Sequence, residues 1–294
     1  MRMFKEGLDQ AAGIRKMTNN KPVRVIAIAS GKGGVGKTNL SVNLGVCLAQ
    51  NGRKVALLDA DMGLANVDIL LGLHPEYNMS HVLSGEKTID EIIVEGPNGL
   101  KVIPASSGIQ HMAEIGTMEQ AGIINAFSEL AEDIDILLVD TAAGIHGGVV
   151  NFARACQEVI IVVCDEPTSL TDAYALIKLL NRNHDLTRFH VITNMVETVH
   201  HGRALYQKLC KVTDRYLDVN LHFTGAVPFD KHLRNSVQKQ QAVVELSPKS
   251  QSAMAIKSIA NRIDNWPVQR GAGGHLEFFV ERLIQAQQEG DIIR

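Results

Sequence analysis

The chain has 294 residues, with 29 Lys and Arg against 32 Asp and Glu, and 45% of it is hydrophobic. A formal net charge of −3 excludes a protein that holds nucleic acid by bulk charge, and an aromatic content of 4% argues against a stacking platform for single strands. A chain this long buries about three-quarters of its unfolded surface, so it needs neither a disulfide framework nor a structural metal.

The cysteines, Cys47, Cys156, Cys164 and Cys210, form no C-x-x-C pair and read as small buried hydrophobes in a reducing compartment. The longest apolar run, Val159–Cys164, is far too short to span a membrane, and the N-terminal residues hold no signal-peptide core. Both features point to the cytoplasm.

Residues 1–21 are mixed in charge, with Phe4, Leu8, Ala11 and Ala12 on one face of a short helix. Strands are then expected at Val23–Ala29, Lys54–Leu58, Lys101–Ile103, Asp135–Val139, Val159–Cys164, Phe189–Thr193 and Leu221–Gly225. Continuous β-branched runs of this kind suit strands covered on both faces. Helical patterns fill the gaps between them. Leu40, Leu44, Cys47 and Leu48 make one stripe that ends at Asn51-Gly52, and Ser169 with Asp172 reads as the N-cap pair of a helix over Ala173–Leu180. The alternation predicts a doubly wound, mostly parallel α/β domain over residues 22–266. Beyond it, Gly271-Ala272-Gly273-Gly274 breaks the chain within 267–294, and Leu276, Phe279, Val280, Leu283 and Ile284 form an amphipathic stripe.

Gly31-Lys32-Gly33-Gly34-Val35-Gly36-Lys37-Thr38 fits G-x-x-x-x-G-K-[ST] between the first strand and the first helix, the context that makes the motif a phosphate loop. Backbone N–H groups of such a loop point at phosphate oxygens, the helix N-terminus adds its positive end, and Lys37 adds a full charge. The Thr38 hydroxyl is placed to ligate Mg2+ carried with the nucleotide. Asp140 ends an apolar strand at the carboxyl edge of the sheet, where it can hold Mg2+ through its water shell. Asp61, just past the second strand, is positioned to orient the attacking water and to approach the metal.

The run KGGVGKT, with Lys32 ahead of the double glycine, resembles the deviant Walker A motif of the MinD/ParA ATPases. Leu57–Asp68 is similar to that family's switch I, and Ile136–Gly144 to its Walker B and switch II. The resemblance spans residues 22–265. It implies slow ATP hydrolysis in an ATP-bound homodimer, with Lys32 reaching the partner's phosphates and Asn39 following the loop. It also implies a base site of Asn194 with Pro228, Phe229 and Asp230, and a ribose contact from Glu166. Asp59 matches the family motif, with its role left open. Paired cluster-bridging cysteines are missing, so no iron–sulfur cluster is expected.

The tail Asp9-Gln10-Ala11-Ala12-Gly13-Ile14-Arg15 resembles the partner-binding tail of the FlhG/FleN branch, regulators of flagellar number and placement. Asp9, Gln10, Ala11, Ile14 and Arg15 are its expected contacts, and Ile14 stands where leucine is usual. The resemblance implies two partners, an FlhF-like GTPase and a FleQ-like flagellar transcription activator. The C-terminal stripe resembles a membrane-targeting helix. Its Glu277, Glu281, Glu289 and Asp291 against Arg282 and Arg294 give little attraction to anionic lipid, leaving two options: docking on the core, or peripheral contact at the inner membrane or cell pole. Two alternatives remain, a division-site MinD and a ParA-type partition ATPase. The latter would gather Lys208, Lys211, Arg215, Lys231, Arg234 and Lys239 on one face to hold DNA.

Overall fold

Strands β1 (Arg24–Ser30), β2 (Val55–Ala60), β3 (Val94–Glu95), β4 (Lys101–Pro104), β5 (Ile136–Ala143), β6 (Glu158–Cys164), β7 (Arg188–Val196) and β8 (Asn220–Pro228) join in one sheet of order β3-β4-β2-β5-β1-β6-β7-β8. The structure is a computed structural model, and residues 22–61, 66–104, 117–267 and 276–292 are described. Every neighbouring pair runs parallel except β3 with β4. All seven expected strands are present within a few residues. The additional strand, β3, is two residues long and offers no periodicity to read.

The helices are α1 (Lys37–Gln50), α2 (Val67–Leu71), α3 (Met79–Leu83), α4 (Ile89–Ile92), α5 (Thr117–Asp133), α6 (Gly147–Ala155), α7 (Pro167–His184), α8 (Val199–Tyr216), α9 (Lys231–Gln238), α10 (Val243–Leu246), α11 (Gln251–Asp264) and α12 (Leu276–Ile292). Successive side chains of a strand face opposite ways, so each strand feeds two cores. Val25, Ala27 and Ala29 of β1 join Phe127, Phe152, Leu176 and Leu205 on one face. Ile26 and Ile28 join Leu40, Leu44, Leu48, Ile256 and Ile259 on the other. The helix after the phosphate loop closes at Asn51, as its sequence predicts.

One helix start is corrected. Ser169 is not an N-cap: α7 begins at Pro167, with Glu166 in the cap position and no side-chain cap bond. Proline's fixed φ suits the first helical turn. Ser169 instead accepts a hydrogen bond from the Cys164 N–H at 3.1 Å, tying the helix back to β6. Five of the six basic residues lie on two helices that pack against different cores. Lys208, Lys211 and Arg215 lie on α8, whose Leu205 and Leu209 pack in the first core, whereas α9 carries Lys231 and Arg234 and packs Leu233 against the second.

The C-terminal stripe is covered by protein. Leu276, Phe279, Val280, Leu283 and Ile284 of α12 are buried in the first core, and the Phe279 ring lies 6.3 Å from that of Phe127 on α5. No helix among the described residues is long and apolar enough to cross a membrane. The tail residues Asp9, Gln10, Ala11, Ile14 and Arg15 lie outside the described residues. Because α12 is part of the core, Phe279→Ala is expected to lower stability by about 3 kcal/mol in urea unfolding. A change below about 0.5 kcal/mol would show that the helix is not docked in solution.

Candidate functional site

The phosphate loop runs from the carboxyl end of β1 into α1. Gly36, in the left-handed conformation with φ 79°, is the N-cap of α1, and no side chain caps the helix. Its first N–H groups and dipole therefore face the loop as an anion site. Two close approaches hold the loop in place. A Cβ on Gly31 would sit 2.2 Å from the Asp172 carbonyl of α7, and one on Gly36 would sit 2.5 Å from the Asn194 amide nitrogen. Asn194 is buried and donates from Nδ2 to the Val35 carbonyl at 2.8 Å. It thus clamps the loop, a task its sequence position alone did not reveal.

Lys37 and Asp140 meet in the interior. Lys37 Nζ lies 2.9 Å from Asp140 Oδ1, with side chains 6% and 0% exposed. Ser41, one turn beyond Lys37 on α1, donates from Oγ to the same oxygen at 2.7 Å. Asp140 Oδ2 is buried and has no hydrogen-bond partner among the described residues. An orphaned carboxylate oxygen beside the loop, with Thr38 half-buried at the start of α1, is a donor set that fits a hydrated Mg2+.

Asp59 stands directly opposite Asp140 in the β2–β5 register. Its oxygens accept from the N–H groups of Asp61 at 3.2 Å, Asn66 at 3.0 Å and Val67 at 3.1 Å. Asp59 therefore holds both ends of the segment that carries Asp61 and leads into α2. Burial, followed by the Asp140 charge, pushes its carboxyl up to about 6.

On the rim, Lys32 Nζ pairs with the Glu166 carboxylate and donates to Thr168 Oγ1 at 2.9 Å. Asn39 is occupied in α1, its carbonyl and its Oδ1 each accepting from Asn43 Nδ2 at 2.8 Å. At the base site Pro228 ends β8, and Phe229 exposes 62% of its surface. Asp230 caps α9, accepting from the His232 N–H at 2.8 Å and from the Ser252 N–H and hydroxyl at 3.0 and 2.8 Å. Its oxygens are thus engaged within the chain. Met195, which the sequence did not single out, sits at a bulge of β7 with φ 56° and comes close to Gly36.

The ParA family, described as NUBPL iron-transfer P-loop NTPases, matches residues 21–264. The chain belongs to the MinD/ParA family of P-loop ATPases. It is 52% identical over 280 residues to "Antiactivator FleN" of Pseudomonas aeruginosa, covering 95% of this chain and 100% of that protein. It is 37% identical over 243 residues to "Flagellum site-determining protein YlxH" of Helicobacter pylori, covering 82% of each. Among solved structures, the MinC:MinD cell division complex of Aquifex aeolicus superposes with a TM-score of 0.66 at 29% identity, over 85% of this chain and 99% of that one.

The chain is accordingly an ATP-binding MinD/ParA ATPase. The family description mentions iron transfer. Here Cys47, Cys164 and Cys210 lie on α1, β6 and α8 and Cys156 follows α6, and no group of three or more metal-ligating side chains gathers among the described residues.

Asp59 makes the stability of the metal- and nucleotide-free protein depend on pH. Its folded pKa lies above the unfolded carboxylate value, so the folded state binds the extra proton and its ionisation costs stability as pH rises through that window. In urea unfolding, the stability of the parent relative to Asp59→Asn is expected to fall by roughly 2 kcal/mol between pH 4 and pH 7, since each pKa unit is worth about 1.4 kcal/mol and part of the shift is already spent by pH 4. A flat difference would mean that Asp59 carries no such shift.

Proposed function

We propose that this chain is an ATP-switched dimer that limits the number and sets the placement of flagella, restraining a flagellar transcription activator and stimulating an FlhF-like GTPase. The observation carrying this reading is the 52% identity to an antiactivator over its whole length. The second flagellar relative, and the presence of Lys32 on the rim beside the loop, support it.

In the proposed cycle the loop N–H groups and the N-terminus of α1 bind the triphosphate, and Lys37 moves from Asp140 to the β- and γ-phosphates. Asp140 and Thr38, together with Asp61, would hold a hydrated Mg2+. When bound, the metal would neutralise charge on the transferring phosphoryl group. Asp61 orients the attacking water, while the Asn194 clamp keeps the loop closed on the phosphates. Asn194, Pro228 and Phe229 flank the base. Asp230 reaches it only if it leaves Ser252 or shares an oxygen. Glu166 contacts a ribose. Lys32 crosses to the partner's phosphates, so the site is complete only in the dimer and turnover is slow.

Residues 1–21, with Asp9, Gln10, Ala11, Ile14 and Arg15, are proposed as the GTPase-stimulating tail, 22–266 as the ATPase domain and 267–294 as a linker and helix. Peripheral contact at the inner membrane or pole would require α12 to leave its place on α5 and α6, and the proposal includes neither an iron–sulfur cluster nor direct nucleic-acid binding.

Lys32→Ala is expected to stay monomeric with ATP and Mg2+ in light scattering while still binding nucleotide; a dimer equal to the parent's would rule out a trans lysine. Removing residues 1–20 is expected to leave ATP binding intact and to abolish stimulation of the GTPase. Full stimulation by the truncated chain would remove the tail from the reading.

A further inference from the structure

Lys32, which the reading above sends across the dimer interface, engages Glu166, the ribose contact of that reading, within the single protomer. Lys32 Nζ pairs with the Glu166 carboxylate and also donates to Thr168 Oγ1 at 2.9 Å. An ammonium has three donors, so two of them are taken inside its own chain. The side chains are 33% and 55% exposed, and the Glu166 hydrogen bond, the largest contribution, pushes the lysine above its ordinary range. The lysine is therefore fully charged at neutral pH and faces a charged partner.

The cradle is built by the backbone. Glu166 occupies the N-cap position of α7 without capping it, Pro167 opens the helix, and Thr168 follows in the first turn. Lys32 arrives directly after Gly31, whose missing Cβ lets the loop touch the Asp172 backbone of the same helix. Ser30 Oγ donates to the Lys32 carbonyl at 3.0 Å, fixing the backbone from which the side chain extends. Loop and helix start are thus held at a separation that the lysine spans.

We propose that Glu166 and Thr168 form a cis latch that holds Lys32 in the nucleotide-free protomer and raises the protein concentration at which ATP drives dimerisation, with Thr168 a positioning residue. This rests on the reading that Lys32 acts in trans. Opening the latch frees both groups at once, Lys32 for the partner's phosphates and Glu166 for a ribose. A dimer needs two latches broken, so the cost enters the association constant twice. An exposed ion pair shifts an equilibrium by about two- to five-fold, which makes roughly four- to twenty-five-fold on dimerisation.

Thr168→Val removes one of the two bonds on Lys32, and Thr168 itself is assigned to neither nucleotide, metal nor water. In analytical ultracentrifugation of the full chain with Mg2+ and a non-hydrolysable ATP analogue, this variant is expected to dimerise at least two-fold more tightly than the parent. In the Lys32→Ala background, Thr168→Val should change nothing. Dimerisation of Thr168→Val equal to or weaker than the parent's overturns the latch. So does an equal gain in the Lys32→Ala background, which would assign the effect to the helix start. Failure of the underlying reading is a separate result, a Lys32→Ala chain that dimerises as tightly as the parent.

Discussion

The site depends on how one buried ammonium is shared. Lys37 pairs with Asp140 where both side chains are buried, and Asp59 stands opposite Asp140 on the neighbouring strand. A buried charge without a partner is strongly destabilising, so two carboxylates around one lysine are tolerable only if the charge is managed. The three backbone N–H groups on Asp59, its raised pKa and the Ser41 hydroxyl on Asp140 are the means in the nucleotide-free protein. The same arithmetic couples phosphate to metal. In the proposed cycle, Lys37 turning to a triphosphate would strand the Asp140 carboxylate, whose Oδ2 is already an orphan. Phosphate and a hydrated divalent cation would on that reading bind more favourably together than either does alone.

Topology puts these groups within reach. β5 lies between β1 and β2, so the strand carrying Asp140 is flanked by the strand that launches the phosphate loop and the strand that ends near Asp61. Ligands of open α/β sheets bind outside the carboxyl ends of the strands, and all these groups lie at that edge. β7 supplies the remaining wall, with Asn194 holding the loop from behind.

What could be read from the sequence follows the range of the interaction. Strands buried on both faces announced themselves as apolar runs, and the phosphate loop as a contiguous motif, because each is local. Two-residue β3 has no period, and the start of α7 was misplaced because Ser169 resembles a cap while Pro167 sets the boundary. Ser41, Thr168 and Met195 went unread because their partners are remote in sequence: Ser41 meets Asp140 across 99 residues and Thr168 meets Lys32 across 136. The family resemblance assigns Asp230 to the base site, while its cap on α9 and its hold on Ser252 of α11 have no local sequence signal.

The approach of Gly31 to Asp172 also bears on kinetics. With loop and helix backbones in contact, the start of α7 cannot swing away from Lys32 without carrying the loop with it. Lys32 leaves Glu166 by rotation about its own side-chain bonds, a picosecond-to-nanosecond event at an exposed residue. Its release is then always at equilibrium on the timescale of subunit encounter. In the proposed dimerisation, the pairing with Glu166 would set how often two protomers meet with their lysines free, and it would add no slow step of its own.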